Sequence, residues 1–267
     1  MLKIWVLFFQ KLRILSSVAA RLTKLTGKSR ETVHPKHLVK TDDLWYLKYL
    51  NQNDLVLDIG CANGQHTLRA AKFVEKIVGI DIDAKELNKG KREGKRRRIK
   101  NVEFLTSSAE EKLKFKKEAF DKVLFFDVLE HLQNQDMILF EIWRVLKSKG
   151  LLLISVPNKN TSWKKLQRSA RLNYFSDPDH KREYSEDEMR KLLERYKFKI
   201  LNFDPIVYDT PLAPIFDLIG GVSLTLYSKF QDWKKEKAFK SPSESTGFQI
   251  VVQKINHNNK SFLHNNL

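Results

Sequence analysis

The chain has 267 residues, with 49 Lys/Arg against 32 Asp/Glu and a formal net charge of +17. That length can bury a full core in one or two domains, and so large a positive excess points to nucleic acid, a membrane surface or a phosphorylated substrate, or else to a lysine-rich solvated exterior. Cys61 is the only cysteine, which excludes an internal disulfide and a cysteine-based zinc site and fits a reducing compartment.

Residues 1–30 hold seven Lys/Arg and no Asp/Glu. Ile4, Phe8, Leu12, Leu15, Ala19, Leu22 and Leu25 recur at steps of three and four, with Lys3, Gln10, Ser17, Arg21, Lys24 and Lys28 on the other side. This spacing predicts a basic amphipathic helix. Its apolar run from Ile4 to Phe9 is too short to span a bilayer or to act as a secretory core segment. Three readings fit: a helix lying in a membrane interface, a helix covering the following domain, or an acid-poor organellar transit segment.

After a lead-in over 31–50, with a short helix expected from Trp45 to Leu50, the chain becomes strongly patterned. An apolar strand from Leu55 to Leu57 delivers Asp58, and the small residues Gly60, Ala62 and Gly64 lead into a helix. Small residues there let a ligand approach the backbone N–H groups and the helix N-terminus. A second apolar strand, Ile77 to Ile80, ends in Asp81, the position from which a carboxylate can hold a ribose diol. Asp83, two residues on, reads as a helix cap. From Lys85 to Lys100 nine Lys/Arg meet two Glu with no interleaved aromatic residue. A nucleic-acid patch or a solvated basic face near anionic headgroups both fit.

Asn101 to Leu105 reads as a third strand, with Ser108, Ala109 and Glu110 in the loop behind it, and Phe120 to Phe126 as a fourth, running into Asp127, Glu130 and His131. Gly150 separates a helix from a fifth strand over Leu151 to Pro157. The stretch 158–184 is irregular and polar. Ser185 begins a capping box for a helix reaching Tyr196, Lys199 to Phe203 reads as a sixth strand and Gly247 to Lys254 as the last. Pro211 to Phe230 is long and apolar for a connection, with Asp217 its only acid. It suits a helix packed over a substrate pocket or a second membrane-contacting element. Residues 255–267 read as a disordered tail.

These motifs, in this order over roughly residues 45–160, resemble those of the class I S-adenosylmethionine-dependent methyltransferases, including small-molecule and ubiquinone-pathway members. The resemblance implies an α/β fold: a seven-stranded, doubly wound, Rossmann-like sheet with an antiparallel last strand, here with an N-terminal amphipathic helix added. It implies S-adenosylmethionine as cofactor, with Asp58 near the methionine end, Gly60, Ala62 and Gly64 in the turn, Asp81 and Ile82 at the ribose and adenine, Ser108 and Ala109 along the adenine, and Asp127 as a pocket wall. Ala62 replaces the more usual glycine, and Ser108 stands where an aspartate is frequent.

On the acceptor side, Asp127, Glu130 and His131 resemble an acid-x-x-Glu-His arrangement that accompanies a divalent metal in ubiquinone-pathway O-methyltransferases. Glu-His at this place also occurs in relatives without metal, so no metal is assigned and these three are the candidate ligands. His131 with Glu130 orienting it, and His180, are the candidate catalytic groups, a structural histidine at a helix start being the alternative for His131. Trp163, His180 and Tyr184 are the candidate substrate residues. The chain lacks an Asn/Asp-Pro-Pro-aromatic tetrad after the fourth strand, which argues against adenine N6 methylation, and its cysteine placement argues against a cysteine-dependent pyrimidine C5 mechanism.

The expected organisation is therefore a basic helix and lead-in over 1–44, a methyltransferase domain over 45–254 with a substrate-side loop at 158–184 and an apolar insert at 205–246, and the tail. The expected function is methylation of a small molecule, lipid intermediate or glycoconjugate, on oxygen, in the cytoplasm and at a membrane surface. RNA methylation through Lys85 to Lys100, and an inactive cofactor-binding accessory protein, are the rivals.

Overall fold

The computed structural model describes residues 1–39 and 44–255, and the tail expected over 255–267 lies outside them apart from Ile255. In chain order the elements are α1 Leu2–Lys11, α2 Ile14–Leu25, β1 Leu55–Ile59, α3 Gln65–Ala70, β2 Lys76–Asp81, α4 Ala84–Arg96, β3 Val102–Thr106 and β4 Phe120–Phe126. There follow α5 Gln135–Val145, β5 Leu146–Pro157, α6 Ser162–Ser169, α7 Glu186–Arg195, β6 Phe198–Pro205, α8 Ala213–Val222, α9 Leu224–Lys240 and β7 Gly247–Lys254. The chain divides into two compact units, one of Met1–Trp45, Val156–Glu186 and Asp204–Gln249, the other of Tyr46–Ser155, Asp187–Phe203 and the chain from Ile250.

The second unit is built on the seven-stranded sheet, ordered β3-β2-β1-β4-β5-β7-β6 with antiparallel last strands. β1 lies inside the sheet between β2 and β4, with Val56, Leu57, Asp58 and Ile59 all buried, as expected of a parallel strand covered on both faces. It pairs in parallel with β2 (Val56 opposite Ile77) and with β4 (Val56 opposite Lys122). Because β2 and β4 flank β1, the chain order reverses there, and in open α/β sheets ligands bind outside the carboxyl ends of the strands at such a point. α4 buries only Leu87, Gly90 and Gly94, so all nine Lys/Arg between Lys85 and Lys100 are exposed. Asp83 caps α4, accepting the N–H groups of Lys85 (2.8 Å) and Glu86 (3.2 Å), which contributes about 1 kcal/mol.

In the first unit α2 packs on α8 at backbone range. A Cβ on Gly221 would lie 2.7 Å from Leu22 Cβ and 2.9 Å from the Ala19 carbonyl. Asp217, the single acid between Pro211 and Phe230, ties this pair together. It accepts the Ser16 hydroxyl (2.7 Å) and the Tyr227 hydroxyl (3.1 Å), and lies 3.2 Å from His34 Nε2. These bonds hold the carboxyl below its usual range against the opposing effect of burial, the largest influence on it.

Three expectations need correction. The N-terminal helix is two helices with a break at Leu12 and Arg13. Its face is not uniformly covered either: α1 buries only Val6, while Ile4 is 73% and Trp5 62% exposed. The supposedly irregular stretch 158–184 contains α6, capped by Thr161, whose hydroxyl accepts the Lys164 N–H at 3.1 Å. The lead-in helix near Trp45 is a single 3₁₀ turn, Leu47–Tyr49.

Candidate functional site

The turn between β1 and α3 uses the left-handed backbone that its small residues permit. Gly60 (φ 72°), Ala62 (φ 45°) and Gly64 (φ 74°) all lie in that region. A Cβ on Gly60 would fall 2.3 Å from Val128, and one on Gly64 2.4 Å from Phe104, so the turn is packed from beneath and presents bare backbone.

Asp81 locks this turn. Its Oδ2 accepts the Ala62 N–H and its Oδ1 the Asp83 N–H, both at 2.8 Å. A carboxylate oxygen accepts more than one hydrogen bond, so each keeps capacity for one hydroxyl of a vicinal diol. Ile82 beside it is 73% exposed, an apolar plate of the kind a purine ring covers. The loop after β3 is tied to the same strand end by Ser107 N–H donating to the Asp81 carbonyl (3.0 Å). Ser108 Oγ accepts the Glu110 N–H at 3.0 Å, which leaves its hydroxyl proton to donate.

Asp58 is 3% exposed, and its carboxylate accepts the Thr67 hydroxyl at 2.6 Å. Burial pushes its carboxyl up to about 7, aided by the charge of Asp81 and opposed by the Thr67 hydroxyl. A buried carboxylate without a cation is costly, and an ammonium group set beside it would remove that cost. Diol acceptor, ammonium acceptor, apolar plate and bare turn together fit the parts of S-adenosylmethionine.

Near Asp58 lies an aromatic cluster that sequence reasoning missed. Tyr46, His66 and Phe126 pack with centroids 5.0 to 5.4 Å apart, and His66 Nδ1 is 3.0 Å from the Tyr46 hydroxyl. Burial, with the charge of Arg69, pushes His66 down to about 4, so its imidazole is neutral at neutral pH. His66 and Thr67 occupy consecutive positions of the turn-helix motif, but spacing alone gave no sign that they face Tyr46 and Asp58.

Asp127, at the carboxyl end of β4, has φ 54°, a conformation that aspartate adopts more readily than most residues. Its N–H donates to the Ser155 carbonyl (3.1 Å), and its Oδ1 accepts the Ser155 hydroxyl (2.9 Å). Glu130 and His131 follow in a 3₁₀ turn, Leu129–His131, with Glu130 buried and His131 half-buried.

The remaining expected residues fall in the first unit. Trp163 packs edge-on against Phe9, centroids 6.0 Å apart, and Tyr184 is buried with Arg182 over its ring. His180 is buried, and its Nδ1 lies 2.9 Å from Glu183 Oε1, the carboxylate–imidazole pairing that fixes a histidine's orientation. Glu183 also accepts the Ser176 N–H (2.7 Å) and the Lys164 ammonium. Lys164, Glu183, Asp209 and Lys234 form a polar interior that sequence reasoning also missed.

A methyltransferase-domain family profile matches residues 50–216. A ubiquinone biosynthesis O-methyltransferase of Pelagibacter ubique is 32% identical over 108 residues, 40% of this chain and 44% of that protein. A probable S-adenosylmethionine-dependent methyltransferase of Mycolicibacterium smegmatis is 29% identical over 166 residues, 62% of this chain and 60% of that protein. The chain thus spans about half the length of these curated relatives, between 44% and 60%. The solved structure of a putative methyltransferase from Bacillus halodurans superposes with TM-score 0.57 at 20% identity, over 80% of this chain and all of that one, a likeness of fold. Strand order, turn chemistry and a family profile covering more than half of its length agree, and the chain belongs to the class I S-adenosylmethionine-dependent methyltransferases.

Proposed function

We propose that the protein methylates an oxygen of a small-molecule, lipid-intermediate or glycoconjugate acceptor at a membrane surface. The observation that carries methyl transfer is the pair of carboxylates at adjacent strand ends. Asp81, with one oxygen on the glycine turn at Ala62 and the other on the Asp83 N–H, suits a ribose diol, and Asp58, buried with no cation in contact among the described residues, suits the amino-acid ammonium. The bound cofactor supplies a methyl group on a sulfonium, which an acceptor oxygen displaces in line. The chain's own contribution is to hold that methyl in place and to receive the acceptor's proton. His131 beside Glu130, and His180 oriented by Glu183, are the groups able to take that proton. The name of the Pelagibacter relative, a ubiquinone biosynthesis O-methyltransferase, favours oxygen as the methylated atom.

The membrane part rests on the first unit. Leu2, Ile4, Trp5, Leu7 and Phe8 are all exposed on α1, among basic residues and no acids. A contiguous apolar surface of this kind marks an interaction site, and a basic surround suits anionic headgroups. Among the described residues no helix is long and apolar enough to cross a membrane. The test is transfer from methyl-labelled S-adenosylmethionine to a cell extract, followed by solvent partition. Label in the organic phase supports a lipid or quinone-like acceptor, and aqueous label released by nuclease supports the RNA reading, which the nine exposed basic residues of Lys85 to Lys100 favour. No label in any fraction refutes catalysis and leaves the accessory reading.

A further inference from the structure

The loop after β3 holds a carboxylate across the cofactor turn. Ser107 N–H donates to the Asp81 carbonyl at 3.0 Å, so the loop begins beside the acid that suits the ribose diol. Ser108 Oγ accepts the Glu110 N–H at 3.0 Å, a turn that brings residues 108 and 110 together. Farther on the loop is fixed to α5: Glu141 accepts the Leu113 N–H at 2.8 Å, and Arg144 donates to the Leu113 and Phe115 carbonyls at 2.9 and 2.8 Å. Between these two anchors, Glu110 Oε1 accepts the N–H of Gln133 at 2.5 Å, just past the Leu129–His131 turn that follows β4. In the sheet β2 and β1 lie between β3 and β4. The Glu110–Gln133 bond therefore reaches over the carboxyl ends of β2 and β1, where Asp81 and the glycine turn stand. Glu110 is exposed, and its Oε2 has no hydrogen-bond partner among the described residues.

A purine lying on Ile82, with its ribose at Asp81, would turn an edge to this loop. The edge of adenine carries a donor, the exocyclic amine, beside ring nitrogens that accept. Ser108 keeps a hydroxyl proton to donate. A carboxylate only accepts, so one oxygen can hold Gln133 while the other takes an amine N–H. Hydroxyl donor and carboxylate acceptor, set side by side, complement adenine. Hypoxanthine reverses the pattern, with a carbonyl oxygen in place of the amine and a ring N–H in place of an acceptor nitrogen.

We infer that Glu110 determines the purine specificity of the cofactor site, its Oε2 accepting the exocyclic amine of the adenine while its Oε1 is held by Gln133. This rests on S-adenosylmethionine as the cofactor and on nothing in the acceptor or membrane readings. Sequence alone marks Ser108 as lacking the carboxylate frequent at that position; the turn from Ser108 to Glu110 supplies one two residues later.

The test uses the full chain and two probes read by calorimetry, S-adenosylhomocysteine and its deaminated form, S-inosylhomocysteine. The wild type is expected to prefer the adenosyl probe by about a hundredfold, because the inosyl carbonyl leaves the carboxylate without a donor and faces it with a second acceptor. Glu110→Gln keeps the side-chain length and an oxygen for the Gln133 N–H, and its amide N–H suits the inosyl carbonyl. It should weaken the adenosyl probe and strengthen the inosyl one, so that the preference falls about tenfold or more. Glu110→Ala should lower the preference as well. An unchanged preference in either variant, with both probes weakened alike, would make Glu110 a tie between two loops and overturn its role in specificity. A wild type that binds both probes equally would overturn it too. No binding of either probe would overturn the cofactor site along with it. A preference that shifts as expected in a protein that transfers no methyl group would leave Glu110 in place and refute the enzyme reading alone.

Discussion

Asp58→Asn separates the two consequences of burying a carboxylate beside the cofactor turn. The carboxyl is 3% exposed and pushed up to about 7, roughly three units above its unfolded value, which sets a ceiling of about 4 kcal/mol on the cost of its charged form. A folded-state value above the unfolded one means that the native protein holds the proton more tightly. Its contribution to stability is therefore fully present below the unfolded value and is lost as pH rises towards 7. Between pH 5 and pH 8 the wild type should lose about 3 kcal/mol relative to Asp58→Asn. The comparison with the variant is needed because His66, pushed down to about 4, acts in the opposite sense, its contribution falling as pH drops below its unfolded value. Asn retains an acceptor for the Thr67 hydroxyl and leaves His66 in place, so the difference isolates Asp58.

The same proton governs binding. If Asp58 meets the cofactor's ammonium, wild-type affinity for S-adenosylmethionine should rise about tenfold per pH unit as pH climbs towards 7 and then level off. Asp58→Asn should bind weakly with no such slope. The assays are denaturant titration and calorimetry at pH 5, 6, 7 and 8 on both proteins. Parallel stability curves, or an equal pH slope of cofactor affinity in the variant, would refute the assignment.

Asp81→Ala removes the acceptor of two turn N–H groups and of the ribose diol, and cofactor Kd should rise at least a hundredfold by calorimetry; wild-type affinity would show that the ribose lies elsewhere. Gly64→Ala meets both a left-handed backbone and Phe104 at 2.4 Å, so a loss of about 2 kcal/mol or more is expected in denaturant titration. Trp5→Ser with Phe8→Ser should release the protein from anionic vesicles in a pelleting assay while cofactor affinity stays as in the wild type. Continued pelleting would remove α1 as the membrane contact.

The second unit was legible because parallel strands buried on both faces are continuous apolar runs, and because each left-handed turn position shows as a small residue. β1, β2 and β4 announce themselves this way, and so does Asp83 as a cap. The first unit was not. α6 has an inner face of Thr161, Lys164 and Gln167, so the three-residue spacing that marks a helix is carried by polar side chains, and a search for apolar periodicity passes over it. The break between α1 and α2 also left no mark. Leu12 and Arg13 keep right-handed helical dihedrals, with no glycine or proline to signal the change. Gly221 resembles a helix breaker in sequence, whereas its role is to let α8 approach α2.

Buried charge bears directly on the functional reading. Glu141 faces Arg144, Glu183 faces Lys164, and Lys254 faces Glu118; each is matched within the fold. Asp58 is also buried, yet among the described residues no opposite charge is in contact with it. Folding gains nothing from such groups, since an apolar residue of similar volume would avoid the desolvation cost. Its retention is explained if it meets its counter-charge in a ligand, the ammonium of the cofactor. On that view Asp58→Asn should leave a protein at least as stable as the wild type at pH 8 while weakening the cofactor's binding. Loss of stability in that variant would mean that the Asp58 charge serves the fold after all.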